Sequence, residues 1–568
     1  MKEESMKEEF EFSFSFELNP KYQRTVAYFS MEFGIDQALK IYSGGLGFLA
    51  GSHMRSAYEL RQPVIGIGML WKKGYYDQIR KADKSMEVLF QDKIYSFLDD
   101  TGITFELQVN QHPVKVKAYY LAPEVFGSAP IFLLSTDLPE NDYLAQTITH
   151  RLYDSNISTR IAQYIVLGVG GATLLDKLGL QPDVYHLNEA HALPAAFHLY
   201  ERLQSADKLQ DHVVLTTHTP EKAGNEVHEF SLLEKMGFFN GLDKQTIKEL
   251  TGINDLYFDQ TLAALRVSKI ANGVSQKHGQ IAREMWKDQD DICPIVAITN
   301  AQNQKYWGDK KLYQLADAKD LLGMRKRKKA LKRKFFEVVA DQTGKIMDPD
   351  ALTIVWARRF AEYKRPDLIT ADLERFKALL TNQERPLQVI WAGKPYPLDY
   401  GAISTFDSLV YLNKEFMNCA ILVGYELWLS LMCKRGADIW LNNPRVTREA
   451  SGTSGMTAAM NGAINFSTQD GWVLEFSKHR QNSFLVPQAD PELPHHQQDS
   501  IDAKNLLDVL ENDIIPMYYD HPDQWNEIMY HSVQDVVPYF DADRMADEYY
   551  QMVYTYERVL QEASLEKE

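Results

Sequence analysis

The run "RRFAEYKR" (358–365) sets four cations within eight residues of a chain whose formal net charge is −17. Arg359 offers a planar fork and Lys364 a point charge, a pair suited to clamping a phosphate or diphosphate. The plainer alternative is a solvated helix start with Glu362 as internal partner. A second run, "EASGTSGM" (449–456), carries minimal side chains at Ala450, Ser451, Gly452, Ser454 and Gly455. Backbone amides at Gly452 and Thr453 can therefore press against an anion at a helix start. Glu449, at the head of the run, can hold a sugar hydroxyl; a capping turn with a surface glutamate is the competing reading. "SGGLGFLAG" (43–51), with Gly45 in it, is a third candidate for presenting amides to an anion. It has neither the Gly-Lys-Ser/Thr of a Walker loop nor the spacing of a dinucleotide-binding turn. "HLNEAHA" (186–192) and "TTHTP" (216–220) add histidines and polar groups. His218 can hydrogen-bond a sugar hydroxyl or serve as a satisfied structural histidine.

Short apolar runs bounded by turn residues supply the elements that must position these groups. One series includes "PVIGIGMLW" (63–71), "PIFLLSTD" (130–137), "DVYHLNEA" (183–190), "VVLTTHTP" (213–220) and "PIVAITN" (294–300). A second includes "LTIVWARRF" (352–360), "LQVIWAGK" (387–394), "CAILVGY" (419–425), "ADIWLNNP" (437–444) and "AINFSTQDGW" (463–472). Buried strands alternating with helical segments predict α/β architecture with doubly wound parallel sheets, and ligands at the carboxyl ends of strands. Two series predict two Rossmann-like domains, 1–300 and 301–505, followed by C-terminal helices over 506–568. The charged stretch "MRKRKKALKRKFF" reads as a solvated helix face near the boundary. Phe10, Phe12, Phe14 and Phe16 alternate with polar residues as in a half-buried strand.

The acidic balance argues against nucleic acid or an anionic membrane as main partner. Three cysteines without metal-ligand spacing point to a reducing, cytoplasmic setting and no metal site. The opening "MKEESMKEEF" has no apolar segment of the signal-peptide kind. The longest apolar stretch, "YIVLGVGGATLL" (164–175), is shorter than the roughly 20 residues that span a bilayer.

Taken together, "VAYFSMEFGI", "YSGGLGFLAGSH", "PDVYHLNEAHA", "TTHTP", "ARRFAEYKR", "WLNNPR" and "EASGTSGM...NGAINFSTQDGW" resemble the α-glucan (glycogen/maltodextrin) phosphorylase family, in its shorter bacterial form. The resemblance runs from about Val26 to Glu475. It implies a two-domain glycosyltransferase fold of GT-B type, with the active site in the interdomain cleft. It further implies reversible phosphorolysis of α-1,4-glucan to glucose 1-phosphate, helped by the phosphate group of pyridoxal phosphate. By resemblance, Arg359, Lys364, Glu449 and His218 serve the reaction. Gly45, Arg358, Gly452 and Thr453 surround the cofactor phosphate, and Asn188, His191, Asn303 and Gly455 contact substrate. The partners are then α-glucan and phosphate or a sugar phosphate, in a protein that is often a homodimer.

Thr457 departs from the pattern, for it stands where the family has the lysine that binds the cofactor aldehyde. A threonine has no amine, so pyridoxal phosphate can be held there at most noncovalently. "ITNAQN" replaces the usual "ITNGVH", so Asn303 takes a histidine's place. "THTPEKAGNE" and "AGKPYPLD" depart as well. Two alternatives to phosphorolysis follow. One is a cofactor-free retaining glucosyltransferase using a nucleotide sugar, and the other a catalytically silent glucan-binding or regulatory homologue.

Overall fold

The computed structural model describes residues 10–556. Two sheets carry the architecture. The first has nine strands, in the order Ile295–Ala297, Ile270–Gly273, Val213–Thr216, Val184–Asn188, Val26–Phe29, Val64–Met69, Ile131–Ser135, His112–Leu121 and Asp99–Val109. Its first seven strands run parallel, and apart from the half-buried edge residue Val296 their valine, isoleucine and leucine residues are buried on both faces, as a sheet covered by helices requires. The second sheet has six parallel strands, ordered Cys419–Leu422, Leu387–Ala392, Leu352–Ala357, Ile439–Asn442, Ile464–Ser467 and Ser483–Leu485. Every apolar run of the two series contains one of these strands.

The antiparallel edge of the first sheet was not foreseen. Asp99–Val109 and His112–Leu121 form a hairpin around Asn110 and Gln111, both at positive φ (+51° and +65°). That backbone twist joins strands by a two-residue turn. Alternate side chains there are exposed, so the segment shows no continuous apolar run. Phe10 to Phe16 form no strand. Alternation at these residues reflects packing of rings on the sheet, not ladder pairing: Phe10 meets Tyr120 edge-on at 5.3 Å, and Phe12 meets Phe132 at 5.5 Å.

"YIVLGVGGATLL" lies within helical segments from Ile157 to Lys177, buried against the first sheet. Its Gly171 permits the approach, since a Cβ there would stand 2.6 Å from both Phe29 and Ile67. Among the described residues, no helix is long and apolar enough to cross a membrane. The cationic helix Leu321–Thr343 is only partly a solvated face. Lys328 and Lys332 point inward, Lys328 donating to the carbonyls of Lys434 and Asn461, and Lys332 pairing with Asp438 at 2.5 Å. Buried ammonium groups persist because each meets oxygen.

The chain's last described part is helical, from His495 to Tyr554. Helix Pro522–Phe540 packs beside the second sheet, and the residues after it return to the first. There Tyr554 Oη lies 2.7 Å from His186 Nδ1, deep in the first sheet. Thr216 donates to Asn272, so its oxygen receives the His186 Nε2 proton and Nδ1 accepts from Tyr554. Burial keeps His186 neutral, well below the ordinary histidine range. The expected helices over 557–568, like the opening residues 1–9, lie outside the described residues.

Candidate functional site

A cavity of about 550 Å³ opens where the carboxyl ends of the two sheets face each other. Ligands in open α/β sheets sit at such ends. Arg358 follows strand Leu352–Ala357 directly, and a 3-10 turn, Glu362–Lys364, brings Lys364 back to the cavity. Arg365 fixes that turn in the left-handed region (φ +50°), donating to the carbonyls of Asn443 and Pro444 and pairing with Asp502 at 2.8 Å.

Glu449 receives Arg358 Nη2 at 2.6 Å and Lys364 Nζ at 3.2 Å. Burial opposes its ionisation, yet the two cations outweigh burial and hold the carboxyl down at about 2. Arg358 keeps two further donors, Nε and Nη1, buried without a partner among the described residues. Arg359 has no carboxylate within 4 Å among the described residues. It keeps over a third of its surface accessible while lining the cavity, as a side chain facing an open crevice does. Arg358, Arg359 and Lys364 thus gather beside Glu449 at this end of the cavity.

Two glycine turns complete this end. Helix Gly45–Glu59 begins without a side-chain cap, and a Cβ on Gly45 would meet no heavy atom within 4 Å. Glu32 accepts from Ser43 N at 2.6 Å and from Tyr153 Oη at 2.7 Å, which pins the turn from beneath. Opposite, Gly452 (φ +75°) and Thr453 lead into helix Ser454–Ala459. Gly471 underlies that loop, since a Cβ on it would lie 2.3 Å from the Ser451 carbonyl oxygen. Gly393 performs the same service for Arg358. Its φ is +152° and an added Cβ would fall 1.9 Å from the Arg358 carbonyl oxygen. Gly393→Ala should therefore lower stability by about 3–4 kcal/mol. A fall in the chemical-denaturation midpoint with unchanged slope checks this.

The other end of the cavity is aromatic and polar. Tyr164 stacks on His191 at 5.2 Å and donates to Glu226 at 3.2 Å, while Arg160 reaches the same glutamate at 3.4 Å. Such a mixture of ring faces and orienting polar groups suits a sugar. His218 stands between the two ends. Asn188 donates to Ser30, so its Oδ1 faces His218 and accepts from Nε2 at 2.7 Å. Burial, with His278 and His191 nearby, pushes His218 down to about 3, leaving a neutral ring.

Arg358, Arg359, Lys364, Glu449, His218, Gly45, Gly452, Thr453 and His191 all line this one cavity. Four other candidate residues do not. Asn188 is a buried support for His218. Asn303 is buried, caps the helix at Gln304 and donates to Ser56 at 3.0 Å. Gly455 packs where a Cβ would meet Asn465 and Trp472, and Thr457 is buried with its hydroxyl bonded to the Ser454 carbonyl. Each was expected from motif position, and each is buried in the structure instead. Glu32, Tyr153, Tyr164, Arg160 and Glu226 were missed. They come from sequence-distant turns with no local signature, and only the fold gathers them.

For pyridoxal phosphate, the phosphate end fits. The remaining Arg358 donors and the turns at Gly45 and Gly452, all lining this cavity, suit a phosphate monoester, while Ser43 N and Gly44 N of the first turn already serve Glu32. The aldehyde end finds no amine at Thr457. Among the described residues there is no cluster of three or more metal-ligating side chains.

Residues 296–512 match the carbohydrate phosphorylase family. The chain is 34% identical to a maltodextrin phosphorylase of Thermococcus litoralis, across 94% of this chain and 71% of that protein. It is 31% identical to a glycogen phosphorylase of Aquifex aeolicus, across 94% and 86% respectively. An uncharacterized protein of Methanocaldococcus jannaschii is 45% identical, across 94% of this chain and its own whole length.

Proposed function

The chain belongs to the α-glucan phosphorylase family, and from that premise we propose that it transfers glucose reversibly between an α-1,4-glucan and phosphate, with glucose 1-phosphate as the small product. The observation that carries this reading is the polarity of one cavity: three cations and two amide turns at one end, rings and polar groups at the other. Anions in such a place stabilise the positive charge that develops at the sugar's anomeric carbon, and a water-excluding cleft strengthens the effect.

In this proposal Arg359 and Lys364 hold the substrate phosphate. Glu449 orients the glucosyl ring, and His218, as a neutral ring, accepts or donates a hydrogen bond at a sugar hydroxyl. Tyr164, His191 and Glu226 receive the glucan. Arg358, Gly45, Gly452 and Thr453 would hold the phosphate of pyridoxal phosphate, which supplies a second phosphate beside the first. The arrangement is that of a GT-B glycosyltransferase, with 1–300 as the glucan side, 301–505 as the phosphate side and 506–568 returning to the first. Cross-links such as Tyr76 Oη to the Pro395 carbonyl (2.7 Å) and Gln78 to the Gly393 carbonyl (2.9 Å) support a cleft held between these two parts.

The test is a maltodextrin assay with and without added pyridoxal phosphate, reading glucose 1-phosphate. Phosphate-dependent release in either condition is expected. Parallel incubation with ADP-glucose or UDP-glucose and a glucan primer addresses the donor. Release of nucleoside diphosphate, with no glucose 1-phosphate formed, would overturn the proposal.

A further inference from the structure

Gln260 opens helix Gln260–Val267 and is 0% exposed, yet its side chain belongs to the cavity wall. Neither its Oε1 nor its Nε2 has a hydrogen-bond partner among the described residues. Leaving both halves of a buried amide unmet is costly, and folded proteins pair nearly all such groups. Asn225, also in the wall and part of the altered "THTPEKAGNE", repeats the pattern on one side. Its Oδ1 accepts from Thr261 Oγ1 at 3.2 Å, while its Nδ2 is buried without a partner among the described residues.

The local fold brings these two amides together and occupies their neighbours elsewhere. Strands Val227–Glu229 and Tyr257–Asp259 pair antiparallel, which sets Asn225 and Glu226 beside Gln260. Gln260 N donates to the Glu226 carbonyl at 3.0 Å, and Asp259 caps the helix by accepting from Thr261 N and Leu262 N, each at 3.0 Å. The Glu226 carboxylate is taken by Arg160 at 3.4 Å and Tyr164 at 3.2 Å. The helix that starts at Gln260 packs against the turn carrying His191, whose Nδ1 is likewise buried without a partner among the described residues. The unmet atoms therefore gather at the end of the cavity that carries the stacked Tyr164 and His191 rings.

Their chemistry selects what can meet them. Oε1 requires a donor, whereas Nε2 and Asn225 Nδ2 require acceptors. A phosphate dianion cannot donate to Oε1, and an ammonium cannot accept from Nε2. A hydroxyl does both, and ring faces beside it suit the apolar face of a pyranose. We propose that Gln260 and Asn225 form a hydroxyl-reading site for a glucosyl unit of the glucan, at the end of the cavity away from Arg359 and Lys364. The inference rests on the proposed function above and names two residues that set its glucan specificity. Both bind, and no part of the transfer step passes through them. The cost of the unmet amide in the ligand-free protein is recovered when a hydroxyl arrives, and a ligand without that hydroxyl recovers nothing.

The experiment measures binding of maltoheptaose and of inorganic phosphate to the full chain by calorimetry, beside the melting temperature of each variant. Gln260→Met keeps length and volume and removes both polar atoms. It should weaken maltoheptaose binding about tenfold, the net worth of one or two hydrogen bonds, and leave phosphate binding unchanged. It should melt at or above the parent temperature, because the fold itself does not pair the atoms removed. Asn225→Ala should weaken maltoheptaose by a smaller factor and likewise spare phosphate. A lower melting temperature for Gln260→Met with unchanged glucan affinity would show an amide that serves the fold, and overturns the inference. Equal losses of affinity for glucan and phosphate overturn it too, since they mark a general distortion of the cavity. If the parent releases glucose 1-phosphate and Gln260→Met binds maltoheptaose as well as the parent does, the inference falls and the proposed function stands. If Gln260→Met loses maltoheptaose as expected and the parent releases no glucose 1-phosphate, the inference stands and the proposed reaction falls.

Discussion

Arg359→Ala should reduce phosphate-dependent turnover by about 100- to 1,000-fold, the usual cost of losing one preorganised charge at a developing transition state. Thermal unfolding should stay close to that of the parent chain. The two halves of this expectation have separate causes. Arg359 lies in the cavity with over a third of its surface accessible and no carboxylate within 4 Å among the described residues. Its removal leaves no buried group unpaired, and changes at such positions usually fall within about 0.5 kcal/mol. The activity half follows from the guanidinium's being a cation not already committed to Glu449. Arg359→Lys should recover only part of the loss, because a point charge cannot reproduce a bidentate fork. Glucan affinity should hardly move, since Tyr164, His191 and Glu226 lie at the other end of the cavity. Initial rates at varied phosphate and varied maltodextrin separate these effects, and unchanged rates at every phosphate concentration would remove Arg359 from the anion site.

What the sequence could show depended on where each signal lay. Strand cores such as "LTIVWA" and "LQVIWA" were legible because residues buried on both faces leave an uninterrupted apolar run. The hairpin at 99–121 was not, since one face is wet and its strands read as mixed composition. At the site, residues adjacent to a strand end announced themselves by type: Arg358, Arg359, Lys364 and Glu449 arrive in two short runs. The wall of rings and polar groups opposite did not, because Arg160, Tyr164 and Glu226 are ordinary residues until the fold converges them. The departures from family pattern also changed meaning in three dimensions. "ITNAQN" is packing chemistry: Gln302 accepts from Ser52 at 2.7 Å and Asn303 donates to Ser56, so both staple the helix that begins at Gly45. Glu221, in the altered "PEKAGNE", pairs with Arg448 across the cleft mouth. No reading of a linear chain distinguishes a substitution that alters a site from one that braces its frame.

Glu449→Gln should destabilise the ligand-free protein by about 3–5 kcal/mol, the range for removing one partner from a buried ion pair. Its side chain is 10% exposed, and the groups it pairs, Arg358 and Lys364, are as deeply set. Glutamine keeps the shape and an acceptor oxygen, so the loss isolates the charge. The pH dependence has a definite sign. Arg358 and Lys364 outweigh burial and depress the folded-state ionisation of Glu449 to about 2, below the 4.5 of an unperturbed glutamate. The charge therefore contributes fully above 4.5, and its contribution is lost as pH falls from there towards 2, where the native carboxylate also takes up a proton. The gap between parent and variant, measured by denaturant midpoint, should be widest near neutrality and close across that acid window. A gap that stayed constant down to pH 3 would place the effect in packing instead of charge. Phosphate offers the complementary check. If Glu449 neutralises cations that otherwise wait for a phosphoryl ligand, added phosphate should stabilise Glu449→Gln more than the parent chain, because the variant leaves more uncompensated positive charge to fill. Equal stabilisation of both proteins would mean that the glutamate and the anion never compete for Arg358 and Lys364.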